Sequence, residues 1–216
     1  MPLQAHNLGV AFEDKWVFRG ASLSIGAGEK LALVGPSGSG KSLLLKSLSM
    51  LHPVNEGRLE FEGQPIVSAS VPGFRSKVMY VPQRSADVDG SVEEFLSAPF
   101  AFKIHADKSF DRGQAESHFN RLGRDSEFLA KTQRDLSGGE RQIVSLVRAM
   151  ILDPEILLLD EPTSAMDGPT ALEAENLIAS WCNENESRST LWVTHDLTQA
   201  QRVSQRIISM DELSKG

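Results

Sequence analysis

"LALVGPSGSGKS" occupies residues 31–42, and its reading decides the fold. Four apolar residues, Leu31 to Val34, run straight into a glycine, as a buried strand does before a turn. Gly35, four residues, then Gly40, Lys41 and Ser42 have the spacing of a phosphate cradle. Gly35, Gly38 and Gly40, with Pro36, Ser37 and Ser39 between them, let successive backbone N–H groups turn inward around an anion. Lys41 then reaches the β and γ phosphates, the Ser42 hydroxyl suits Mg²⁺, and a helix beginning near Gly40 adds its positive end. A nucleoside triphosphate is the expected ligand.

Outward from this stretch, β-like runs recur at residues 8–12, 17–25, 58–62, 78–81, 156–159, 190–193 and 206–210. Helix-like spacing occupies 40–50, 138–151, 169–185 and 196–204. "ILLLD" and "TLWVTH" are continuously apolar before a polar end, which fits central parallel strands covered on both faces. Alternating strands and helices imply an α/β fold with its chemistry at the carboxyl ends of the strands. Residues 84–136 differ, because charged and apolar residues there alternate at helical spacing without a strand run. They are expected to form a small helical subdomain inserted between core segments 1–83 and 137–216.

Asp160 and Glu161 close the apolar run "ILLLDEP". Two adjacent carboxylates at a buried strand end are costly unless a cation compensates them. Asp160 can hold Mg²⁺, and Glu161 can orient and deprotonate an attacking water. "LSGGE" then narrows the chemistry. Ser137, Gly138 and Gly139 open a helical pattern as an N-terminus without bulky side chains, accessible to an anion. Ser137 and Glu140 also have the spacing of an ordinary capping box, and the two roles are compatible.

With these residues in order, the chain resembles the nucleotide-binding subunits of ABC transporters over nearly its whole length. The motifs are "GPSGSGKS", "VMYVPQ" ending at Gln83, "LSGGE", "ILLLDEP", "SAMD" with Asp167 and "VTHD" with His195. The resemblance implies an ABC-type ATPase of the P-loop NTPase class, using ATP and Mg²⁺. Two copies would face head to tail, the Lys41 loop of one meeting Ser137, Gly138 and Gly139 of the other. Glu161 would act as base and His195 would hold the γ-phosphate and the water. Gln83 would contact Mg²⁺ and the reacting groups, and Asp167 would couple the two sites. Phe12 is placed to stack on adenine, with Trp16 as competitor and a plain core role for Phe12 as the alternative. Departures are mild: Glu140 replaces a common Gln and Met166 a common Leu.

Net charge −7 argues against a broad nucleic-acid footprint, and a DNA or ribosome ATPase would carry coiled coils or a second cassette. The one cysteine, Cys182, allows no intrachain disulfide and suits a reducing compartment. No apolar run is long enough to span a bilayer, and the start lacks the pattern of a secretory signal. The resemblance then implies a peripheral location on the cytoplasmic face of the inner membrane, docked on a separate polytopic permease. Too little chain follows His195 for a regulatory domain. "SVEEFLSAPF", "ERQIVSLVRAM" and "TLWVTHDLTQAQRVSQRIISM" look most like the ATP-binding subunits of Fet-type iron export systems. Another small-molecule or lipid transporter is the competing assignment. No His, Cys and carboxylate cluster has ligand spacing for the iron itself.

Overall fold

The computed structural model describes residues 2–85 and 89–213. The expected segment boundaries at residues 1 and 216, and positions 86–88 of the helical middle, lie outside the described residues. Two strands open the chain, β1 (Leu3–Phe12) and β2 (Lys15–Ile25), paired antiparallel. β1 begins five residues before the alternating run at 8–12. The pairing register shifts between Ala5 and Leu8, where Asn7 has φ 50°, and this irregularity breaks the period-two pattern that would reveal the earlier half. Next come β3 (Lys30–Val34), α1 (Lys41–Leu48), β4 (Glu56–Phe61) and the short β5 (Gln64–Pro65). β4 pairs with β1, and the order β2-β1-β4-β5 forms an antiparallel sheet.

A second helix, α2 (Val71–Lys77), precedes β6 (Val78–Val81). Sequence reading has no helix there, because its first turn holds Pro72 and Gly73 and it buries only Phe74, too little to show a period. Then follow α3 (Val92–Ser97), α4 (Arg112–Asn120) and α5 (Gly138–Ile151). β7 (Ile156–Asp160), α6 (Gly168–Glu184), β8 (Ser189–Val193), α7 (Leu197–Val203), β9 (Arg206–Ser209) and α8 (Met210–Leu213) complete the described elements. A parallel five-stranded sheet runs β6-β7-β8-β3-β9.

Every residue of β7 and β8 is buried, as the unbroken apolar runs require. The two faces of these strands feed two cores. Leu157, Leu159 and Trp192 pack with α5, α6 and the middle helices, while Ile156, Leu158, Leu191 and Val193 pack with α1, β3 and the antiparallel sheet. Each fully buried Leu or Ile contributes about 1.5–3 kcal/mol, so these two strands join both layers into one body.

Between β6 and α5 the described residues hold helices and 3₁₀ turns, and their one β contact is the isolated bridge Ser91 to Thr132. Ser91 starts α3 by accepting from Glu94 N at 3.2 Å, while Glu94 Oε2 accepts from Ser91 N at 2.7 Å. Phe95, Leu96, Phe119 and Phe128 carry this segment onto Ile143 and Val147 of α5. No helix among the described residues is long and apolar enough to cross a membrane.

Candidate active site

The loop after β3 is shaped by glycines. Gly38 and Gly40 have φ 78° and 93°, in the left-handed region that side chains disfavour. A Cβ on Gly40 would lie 2.9 Å from Val17 Cγ1, so only glycine lets α1 begin this close beneath β2. A Cβ on Gly38 would meet nothing within 4 Å beyond its chain neighbours, so this part of the loop is open to an incoming group. Lys41 is 7% exposed, and its Nζ donates to the carbonyls of Gly35 at 2.8 Å and Pro36 at 2.9 Å. An ammonium has three N–H donors, so one remains for a phosphate oxygen. Ser39 Oγ is buried without a partner, a further orphan donor in the same loop. Uncapped α1 adds its first N–H groups, with no acidic residue in its first turn. These residues fit a triphosphate.

Opposite the loop, Asp160 ends β7 and is 3% exposed. Its carboxylate accepts from Ser42 Oγ at 3.0 Å and from the Tyr80 hydroxyl at 2.8 Å. Burial, reinforced by the Asp160 charge, pushes the Tyr80 phenol far above its ordinary range, so it stays a donor. Ser42 and Asp160 together present the hard oxygens that Mg²⁺ prefers. Tyr80 escaped the sequence reading. Its partner is 80 positions away, and the one available signal is a hydroxyl inside the apolar run "VMYV".

Glu161 begins the turn after β7 with φ 45°, a left-handed conformation uncommon for a side chain of its size. Gln83 Nε2 donates to Glu161 Oε2 at 2.8 Å, and His195 Nδ1 lies 3.4 Å from Oε1. The His195 side chain is 75% exposed and stands two residues past the end of β8 at Val193, so it reaches the cleft from the solvent side. Gln83, expected also at the cation, has its amide nitrogen committed to Glu161, leaving Oε1 as its donor atom toward a metal. Lys41, Ser42, Gln83, Glu161 and His195 thus share one cleft of about 590 Å³, which Ser37, Gly38 and Gly40 also line.

Five of the expected residues, Ser137, Gly138, Gly139, Asp167 and Phe12, stand apart from that cleft. Ser137, Gly138 and Gly139 lie at the start of α5, where Ser137 Oγ accepts from Glu140 N at 3.2 Å and Glu140 Oε2 accepts from Ser137 N at 2.8 Å. The capping box uses the Ser137 oxygen as acceptor, so its hydroxyl hydrogen stays free to meet an anion. Asp167 caps α6, accepting from Thr170 N at 2.8 Å, and that bond holds its carboxyl below the usual range. Phe12, at the end of β1, is 55% exposed with its ring edge-on to His52 at 5.7 Å. The Trp16 ring is engaged elsewhere, 2.8 Å from where a Gly9 Cβ would sit and 4.6 Å from the Arg19 guanidinium. Burial pushes the Cys182 thiol up to about 11, leaving it protonated in the core.

Residues 18–164 match the family model described as ABC transporter. The chain belongs to the ABC transporter family. It is an ABC-type ATPase, the ATPase subunit of a transporter. The Escherichia coli K12 protein described as "Probable iron export ATP-binding protein FetA" is 32% identical over 194 residues, covering 90% of this chain and 84% of that one. The aliphatic sulfonates import ATP-binding protein SsuB 2 of Agrobacterium fabrum is 34% identical over 203 residues, covering 93% and 73%. Among solved structures, the dimeric post-hydrolysis state of the ATP-binding cassette MJ0796 bound to ADP and Pi superposes with TM-score 0.82. That match is at 24% identity and covers 96% of this chain and 93% of that one, which shows the fold. The Fet-type likeness therefore stands beside equally similar importers, and identity to relatives leaves the cargo of this ABC ATPase open.

Proposed function

We propose that this ABC ATPase powers a metal exporter, with iron as cargo, from the cytoplasmic face of the inner membrane. Two copies pair head to tail, and each cleft is completed by Ser137, Gly138 and Gly139 of the other copy. The observation that carries this reading is the division of the site: Lys41, Ser42, Asp160, Gln83, Glu161 and His195 converge, while the glycine-rich start of α5 lines no part of their cleft. A helix end open to anions and standing apart from its own nucleotide loop suits a partner's γ-phosphate. The iron assignment rests on the match to FetA, which spans 84% of that protein.

Ser42, Asp160 and Gln83 Oε1 would hold Mg²⁺, which when bound neutralises charge on the β and γ phosphates. Lys41 and the loop N–H groups grip the triphosphate, and Phe12 takes the adenine face. Glu161 removes the proton from the attacking water, and His195 fixes the line of attack. Asp167, exposed at the start of α6, meets the other copy. The described residues between 84 and 136 form the helical subdomain, whose exposed Phe102 and Ile104 offer apolar surface to the permease.

Copurification from solubilised membranes of the host tests the transport reading, with cellular iron measured after deletion of the gene. A polytopic chain without a solute-binding protein, and raised iron in the deletion strain, are expected. A solute-binding protein in the complex with unchanged iron would overturn export.

A further inference from the structure

Gln142, on α5 five residues after Ser137, is a carboxamide that is 4% exposed on an otherwise apolar buried face. Its Oε1 accepts from Ala165 N at 2.9 Å. Its Nε2 lies 2.9 Å from the Gln83 carbonyl, 3.2 Å from the Glu161 carbonyl and 3.1 Å from Ser164 Oγ. An amide nitrogen has two hydrogens, so three acceptors share two donors and none is held independently of the others.

Two of those acceptors belong to residues already joined through their side chains, since Gln83 Nε2 donates to Glu161 Oε2. Gln142 thus closes a ring from the backbone of one to the backbone of the other. Glu161 needs such a hold, because its φ of 45° is strained and returns to an ordinary region if its surroundings relax. Its other backbone restraints are its own N–H to Val193 O at 3.1 Å and the Ser164 N–H to its carbonyl at 3.1 Å. Ala165 forms the remaining link. A Cβ on Gly139 would sit 2.8 Å from Ala165 O, so the start of α5 is seated directly on the segment that Gln142 fixes.

We propose that Gln142 is a positioning residue for hydrolysis, its carboxamide holding the backbones of Gln83 and Glu161 together and tying them to the glycine-rich end of α5. A displacement of that helix end by a partner's nucleotide is thereby felt at the carboxylate on the same chain. The inference rests on Glu161 as the base.

Steady-state ATP hydrolysis by the purified protein tests it. In Gln142→Met, which keeps the volume and removes the bonds, kcat falls about 10- to 100-fold while KM for ATP stays within about 3-fold, because misplacing a reacting group acts on turnover and Lys41 and Ser42 are untouched. Gln142→Glu donates only when its carboxyl is protonated, so its kcat relative to wild type rises from about pH 8 to about pH 6, whereas the Met ratio stays flat. Val147→Ala, buried on the same helix without polar contacts, controls for lost stability and keeps its kcat. A Gln142→Met kcat within about 2-fold of wild type, or an equal loss in Val147→Ala, overturns the proposal. Wild-type turnover in Glu161→Gln would instead remove the base reading. An inactive Glu161→Gln beside an active Gln142→Met removes only the positioning role.

Discussion

Lys41 shows what a motif encodes at the scale of one residue. Its spacing from Gly35 is local, and so are both carbonyls that orient its ammonium, five and six positions back. The sequence therefore reveals the whole arrangement. Lys41→Ala removes a charge-assisted contact worth about 1.5–3 kcal/mol, so ATP affinity should fall at least about 10-fold by fluorescence titration; unchanged affinity would detach the loop from the nucleotide. Tyr80 and Gln142 represent the opposite case. One meets Asp160 across 80 positions, and the other meets Gln83, Glu161 and Ala165 across 59, 19 and 23. Such contacts follow from strand order and helix docking, which no short-range spacing contains.

Elements were legible where one face or both faces repeat without interruption. β7 and β8 read clearly because both layers need apolar residues from them. The first half of β1 did not, since the irregularity at Asn7 shifts its alternation, and α2 did not, since one buried Phe74 makes no period. The separate antiparallel sheet was equally hidden, because pairing direction depends on partners that strand propensity does not name. At the start of α5 the two glycines are unequal. A Cβ on Gly138 would meet Ala165 Cβ at an ordinary 3.5 Å, whereas one on Gly139 would press on backbone at 2.8 Å. Gly139→Ala should therefore cost about 1–3 kcal/mol of stability without nucleotide, and Gly138→Ala much less. Thermal melts of the two variants check this, and equal midpoints would show that the helix end is not seated on Ala165.

For the whole molecule, the proposed reading gives one chain both halves of a nucleotide site that it does not itself join. The triphosphate loop, the carboxylates and His195 surround one cleft, while Ser137 presents its helix end outside it. Motif order made this arrangement readable as a resemblance, and the parallel sheet accounts for it: β3, β6, β7 and β8 all release their functional residues at the same edge. The cargo was not legible, because relatives of similar identity are described with different cargoes. Sedimentation velocity of Glu161→Gln with and without Mg-ATP tests the divided site most directly. Mass should double with ATP, and adding Ser137→Arg to the same chain should return it to one copy. A single-chain mass at saturating ATP, or a dimer indifferent to Ser137→Arg, would contradict the account.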